Sequence, residues 1–179
     1  TPTILPAQAY SGSIPTGFVS AYAQLAGPDD WPPIVMAGVD LSALHLEGRY
    51  NYEDNGTISL WAGWNLRTGN AVRLIVTPMA GAYAGQGGGA GPGVEFTLTW
   101  KKLTVYDESE LIFPFSGDSS WVYTWATASW AVRPWFQPGV SIQRLWILGG
   151  SNTVDPGVGL AAALGPFVAD VYTYNPFND

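Results

Sequence analysis

The sequence predicts an all-β protein, built as one antiparallel, up-and-down transmembrane β-barrel of about ten strands, with eight or twelve strands as alternatives. Three observations predict this fold class. Segments of about ten residues alternate between polar and apolar side chains, which is the period of a β-strand. Turn residues separate these segments, and the chain has 22 Gly and 14 Pro in 179 residues. Charged residues make up only 12% of the chain, whereas a soluble domain has roughly 25%.

Ten segments carry the strand pattern. They are 16–26, 36–54, 57–66, 71–84, 93–101, 102–113, 120–132, 135–148, 157–165 and 167–175. Short connections such as Asn55-Gly56 and Thr68-Gly69 are typical of hairpins, so neighbouring strands are expected to pair antiparallel. The Gly-rich stretch 85–93 is predicted to be a flexible loop. Residues 1–15 lack periodicity and are expected to form an amino-terminal arm, before a single barrel domain over 16–179.

The stretch "HLEGRYNYED", residues 45–54, raises the question of which strand face is inside. It places charged and polar side chains on one face, and Leu46 and Tyr50 on the other. The apolar faces of the other segments carry almost no charge, so a soluble protein with these faces inside would lack a charged surface. We therefore predict that apolar faces point to lipid and charged faces line the lumen. The predicted lumen charge cluster is Glu47, Arg49, Arg73, Glu95, Glu108 and Glu110, with at least one Arg–Glu contact across the interior.

Two further sets of side chains follow from this assignment. Leu60, Leu74, Phe96, Leu98 and Val140 are expected to be exposed in a continuous apolar band. Tryptophans near strand ends are expected at the two membrane–water interfaces, where amphipathic rings are enriched. These are Trp61, Trp64, Trp100, Trp121, Trp130, Trp135 and Trp146. A sugar-binding surface is the alternative role for exposed tryptophans.

Several segments together resemble a poorly characterised group of small bacterial outer-membrane β-barrel proteins. They are "HLEGRYNYED", "TPMAG", "WKKL", "SWVYTWA" and "SIQRLW", spread over roughly residues 40–177. The first of them is the most specific. The resemblance implies a barrel fold and a location in the outer membrane, and it implies no enzymatic activity.

The residues themselves favour no catalytic or cofactor chemistry. The chain has no Cys and one His, so no metal site or cofactor is predicted. His45 is interpreted as a polar residue of the lumen or its rim. Glu95, Glu108 and Glu110 could act as paired carboxylates in acid–base catalysis, but a structural role in neutralising arginine is favoured. The net charge of −7 argues against nucleic acid as a partner.

The predicted function is therefore that of an integral outer-membrane protein of a Gram-negative bacterium, exported with its signal peptide removed. It is expected to be non-enzymatic, either structural or a narrow, porin-like pore with a charged lumen filled by side chains. Membrane lipid is the expected partner, and a homo-oligomer or a larger outer-membrane assembly is left open. The alternative is a soluble, secreted β-sandwich or lipocalin-like binder of sugars or small apolar ligands.

Overall fold

A computed structural model describes residues 16–22, 34–53, 55–164 and 167–175. Within these ranges the chain forms a single antiparallel sheet. Its strands are β1 (Thr16–Tyr22), β2 (Ile34–Leu41), β3 (Leu44–Tyr50), β4 (Thr57–Trp64), β5 (Leu66–Thr68), β6 (Val72–Gly85), β7 (Gly88–Trp100), β8 (Leu103–Pro114), β9 (Trp121–Trp130), β10 (Phe136–Ile147), β11 (Asn152–Leu164) and β12 (Phe167–Tyr174). No helix among these residues is long and apolar enough to span a membrane. The predicted amino-terminal arm, 1–15, lies outside the described residues.

The strands follow one another through the sheet in chain order, and each pairs antiparallel with the next. β4 and β5 both pair with β6 in one register, with Thr57 opposite Gly85 and Leu66 opposite Val76. They act as one strand that is interrupted near Pro78 of β6, which has no N–H to donate. The ladder over the described residues is thus an eleven-stranded meander. The prediction of an all-β, antiparallel, up-and-down sheet is confirmed, but no described ladder joins β1 to β12, so hydrogen bonds do not close it into a barrel.

The predicted single strand 36–54 is wrong, because this segment folds into the β2–β3 hairpin. The chain reverses at Ser42-Ala43, where Ser42 adopts a φ of 62°. Positive φ is uncommon for residues other than Gly, Asn and Asp. The reversal therefore lacks the Gly, Asn or Pro that marks a hairpin turn most clearly in a sequence. The hairpin places Asp40 directly opposite His45.

The prediction of a loop over 85–93 is also wrong, since β7 begins at Gly88. The glycines of this stretch and of β6 make room for large side chains on the same sheet face. A Cβ on Gly81 would lie 2.3 Å from Cδ2 of Trp61, and one on Gly89 would lie 2.7 Å from Cε1 of Tyr83. Trp61 and Tyr83 belong to a buried cluster with Met79 and Ile112. Glycine here is required by close packing and not by flexibility.

The sheet is strongly curved, with its polar face on the concave side. β4, β6 and β7 separate β3 from β8, which would place β3 and β8 about 19 Å apart in a flat sheet with strands spaced by about 4.8 Å. Nevertheless, the Arg49 Nη2 atom on β3 lies 2.7 Å from Glu108 Oε1 on β8. The rings of Trp125 on β9 and Tyr172 on β12 lie 5.7 Å apart across the same concave face.

Burial follows the predicted polarity of the two faces. Glu47, Arg49 and Glu95 are only 2–3% exposed on the concave face, whereas Leu60 and Val140 on the convex face are 70% and 58% exposed. Leu74, Phe96 and Leu98 are half-buried and not largely exposed as predicted. Leu74 and Leu98 are direct cross-strand partners, and such neighbours on one face cover each other.

The convex face also carries a polar patch on β8 and β9. Asp107 and Ser109 alternate with the buried Glu108 and Glu110, so they point to the opposite side of the sheet. The Ser109 hydroxyl donates to Asp107 Oδ2 at 3.2 Å and lies 3.0 Å from Thr124 Oγ1. The convex face is thus apolar along most of its extent but not at this patch.

Replacing Gly81 by Ala is expected to lower the stability of the sheet by about 1–3 kcal/mol, the usual cost of overpacking. The added Cβ would meet both the Trp61 ring and, at 2.7 Å, the carbonyl oxygen of Leu60. Ala82→Val is the matched control, because Ala82 is the next residue and its side chain is exposed. The midpoints of urea unfolding provide the measurement, and equal midpoints for the two variants would contradict this account of the glycines.

Candidate functional site

The centre of the concave face is a buried group of charges, which we call the interior charge cluster: Glu47, Arg49, Glu53, Glu95, Glu108 and Glu110. Arg49 lies at its centre. Its Nε donates to Glu47 and its Nη1 to Glu110, while Nη2 lies 2.7 Å from Glu108 Oε1. Glu53 Oε1 lies 3.6 Å from Nη1. The guanidinium is fully enclosed and paired with carboxylates from β3, β8 and the β3–β4 connection.

Two aromatic rings complete the surroundings of the guanidinium. Arg49 Cζ lies 4.4 Å from the centre of the Tyr52 ring and 5.1 Å from that of Trp61, both cation–π distances. The Trp61 indole nitrogen donates to Glu53 Oε1 at 2.9 Å. Burial, with the nearby Glu108 charge, raises the pKa of the Tyr52 phenol well above its usual range. Tyr52 therefore remains neutral beside the cluster.

Carboxylates outnumber cations in this cluster. Five glutamates surround one arginine, and each glutamate side chain is shielded from solvent by neighbouring strands. The Tyr106 hydroxyl donates to Glu108 Oε2 at 3.0 Å and lies 3.3 Å from Glu95 Oε1. Buried carboxylates without a compensating charge are unfavourable. The cluster can therefore take up positive charge, either as protons on its carboxylates or as a bound cation.

A second polar network extends from the cluster toward the turn of the β2–β3 hairpin. The His45 Nδ1 atom lies 2.8 Å from Asp40 Oδ1. Asn65 Nδ2 donates to the same oxygen at 2.8 Å, and Thr77 donates to Asn65 Oδ1 at 2.7 Å. The partly exposed Arg67 lies 3.2 Å from Asp40 Oδ2. The Asp40–His45 pair was missed from the sequence because its hairpin was read as one strand.

The structure brings together five of the six residues predicted for the lumen charge cluster, and Glu53, which alternation also places on the charged face, joins them. The predicted Arg–Glu contact is confirmed, because Arg49 contacts glutamates on a strand that is not its neighbour. Arg73 was assigned wrongly to the cluster. It shares a face with Thr77 by alternation, but it lies near the end of β6 and is exposed to solvent. Water solvates the Arg73 guanidinium at the strand end, in place of the predicted ion pair with glutamate.

The predicted membrane-interface tryptophans divide into two groups. Trp64, Trp100, Trp130, Trp135 and Trp146 are 39–58% exposed. The other two were assigned wrongly: Trp61 is 2% exposed in the interior, and Trp121 packs against the same buried cluster. Ile58 and Leu60 point to the convex face of β4, so Trp61, at the opposite parity, points to the concave face. Trp61 and Trp121 were both assigned to the interface from their positions near strand ends, whereas strand parity places them on the concave face.

Comparison with known proteins yields no match. No family model matches the chain, and neither characterised proteins nor solved structures provide a match. The function has to be inferred from the residues and their arrangement.

Arg49→Ala is expected to destabilise the fold by about 3–5 kcal/mol, because it leaves buried carboxylates unpaired. Arg67→Ala is the matched control. Arg67 forms one partly exposed ion pair with Asp40, and such pairs contribute about 0–1 kcal/mol. Urea unfolding in detergent or lipid vesicles measures both variants. Equal midpoints would mean that the interior charge cluster does not hold the strands together.

Proposed function

We propose that the chain is an integral β-barrel protein of the outer membrane of a Gram-negative bacterium, without enzymatic activity. The observation that carries the proposal is the polarity of the two sheet faces. Charged groups are enclosed on the concave face, while Leu60, Ile58 and Val171 on the convex face are 70%, 61% and 63% exposed. Water favours the opposite arrangement, whereas a bilayer solvates an apolar outer band and allows a polar interior.

The curvature of the sheet supports closure into a barrel. Side chains of β3 reach β8, and the ring of Tyr52, just after β3, lies 5.9 Å from that of Tyr123 on β9. The aromatic contact between β9 and β12 continues the same curvature toward the last strand. Strands that meet across a concave face in this way line a lumen.

The strand lengths and the ends of the sheet also suit a bilayer. β6, β7 and β8 contain 14, 13 and 12 residues. Twelve residues extend about 40 Å, or about 28 Å when tilted by about 45°, close to the hydrocarbon thickness of about 30 Å. Exposed Trp100 and Trp130 lie at the end of the sheet that carries the exposed Lys101 and Lys102. Such an end suits the interface with anionic lipid headgroups.

The interior favours a structural protein or a closed, narrow pore over an open channel. A cavity on the concave face, lined by Thr104, Gln137 and Tyr172 among others, has a volume of only about 40 Å³. This is room for one or two water molecules. It is also far smaller than the roughly 300 Å³ of a small-molecule site, so this cavity does not suit a substrate of that size.

A soluble, secreted binder is the alternative, and one observation favours it. The patch of Asp107, Ser109 and Thr124 lies on the convex face, where Asp107 would face lipid in a barrel. A carboxyl group at that depth is unfavourable in a bilayer. If the chain spans a membrane, the patch instead suits contact with a second copy of this chain or with another outer-membrane protein.

Val140→Arg distinguishes the two functions. In a bilayer, an outward arginine near the midplane costs about 2–4 kcal/mol and one near the interface about 0–1 kcal/mol. Val140 is exposed and pairs with Val158 at the centre of β11, whereas the matched control, Val72→Arg, changes an exposed valine at the first position of β6. We expect Val140→Arg to lower the unfolding midpoint in lipid vesicles clearly more than Val72→Arg.

In a soluble protein both exposed positions tolerate arginine, with changes within about 0.5 kcal/mol. Equal, small effects together with a monodisperse protein in buffer without detergent would therefore refute the membrane proposal. If position 140 tolerates arginine in a protein that still requires detergent, the lipid contact lies elsewhere on the chain, which equally contradicts the assignment of this face.

A further inference from the structure

Three side chains on the concave face present free ligand atoms to one another: His45, Glu47 and Glu95, which we call the His45 site. One nitrogen or oxygen atom from each lies within 4.8 Å of the others, and all three residues are buried. His45 Nε2 lies 3.8 Å from Glu47 Oε2, too far for a hydrogen bond. One imidazole and two carboxylates form a donor set suited to divalent first-row metals such as Zn²⁺.

Each of these side chains is oriented by a partner on its other atom. Asp40 holds His45 through Nδ1 at 2.8 Å, Arg49 donates to Glu47 Oε1, and Tyr106 lies 3.3 Å from Glu95 Oε1. The remaining atoms, His45 Nε2, Glu47 Oε2 and Glu95 Oε2, are buried without a hydrogen-bond partner among the described residues. A carboxylate on the second ring nitrogen is the usual support of a metal-binding histidine.

We propose that the His45 site binds one divalent metal ion, with Zn²⁺ as the representative ion. His45 Nε2, Glu47 Oε2 and Glu95 Oε2 are the ligands, and Asp40 positions the imidazole. Ligand atoms of one zinc ion lie about 3–3.5 Å apart, given bonds of about 2.1 Å. The three side chains therefore close in by about 1 Å on binding. The ion also places positive charge beside the carboxylates of the interior charge cluster.

The location suits access from one end of the sheet. His45 is the second residue of β3 and follows the Ser42-Ala43 turn closely. Asp40 is partly exposed, and the Arg67 side chain that contacts it is about 30% exposed. An ion entering at this end meets Asp40 before His45. Removal of Arg67 would open this path without changing a ligand.

The chain contains a single histidine, so ¹⁵N-histidine labelling reports on this site alone. The experiment treats the purified, folded protein with a chelator, removes the chelator, and titrates with ZnCl₂. We expect the Nε2 resonance to shift at one equivalent of Zn²⁺ while Nδ1 keeps its proton for Asp40. The measurement is made on the unaltered chain, so it depends on no variant folding.

Variants then assign the ligands by calorimetric titration with Zn²⁺. Glu95→Gln is expected to weaken binding at least tenfold, and Asp40→Asn to weaken it by about 10–100-fold, as for other partners of metal-bound histidines. Asp118→Asn, at an exposed carboxylate away from the site, is the control and should bind Zn²⁺ unchanged.

An Nε2 resonance that does not respond to saturating Zn²⁺ overturns the proposal. In that case a doubly protonated imidazole between Asp40 and Glu47 accounts for the geometry. Equal affinity of Glu95→Gln and the unaltered chain also overturns it. Neither result bears on the membrane proposal, since that proposal is tested on the convex face.

Discussion

The buried guanidinium of Arg49 is the constraint on which the rest of the structure depends. It is paired with Glu47 on its own strand and with Glu108 and Glu110 on β8. These contacts require the sheet to curve until β3 faces β8. In a flat arrangement of the same strands, β3 and β8 would lie about 19 Å apart and these contacts would be lost. The Arg49 side chain thus links the charged face of β3 to the curvature of the whole sheet.

The polar interior has a second consequence for packing. Aromatic rings, which tolerate both charged and apolar surroundings, fill much of the space around the charges, beside Met79 and Ile112. Trp61 contacts the arginine and Glu53 through its ring and its nitrogen, and it lies over the glycines of β6 and β7. The glycine-rich sequence and the charge cluster are therefore parts of one arrangement, joined by this tryptophan.

The sequence carried enough information to predict the faces of the strands but not all of their ends. Alternation identified Glu47, Arg49 and Glu95 as one enclosed set, because parity depends only on strand register. It could not show that Arg73 lies near a strand end, where solvent replaces a partner. The reversal at Ser42 was invisible, since a serine with positive φ is not a turn signal. Because the hairpin was not predicted, the Asp40–His45 pair was missed as well. These two residues lie opposite each other only when β2 pairs with β3.

The number of strands in the ladder has a topological consequence. Ten successive reversals separate β1 from β12, so these two outer strands run in the same direction. If the sheet closes into a barrel, β1 and β12 pair in parallel, whereas all the other neighbouring strands pair antiparallel. Parallel ladders have slanted hydrogen bonds and are slightly less stable per residue. This parallel pairing would be the first to separate when the barrel opens, and an additional strand could insert between β1 and β12.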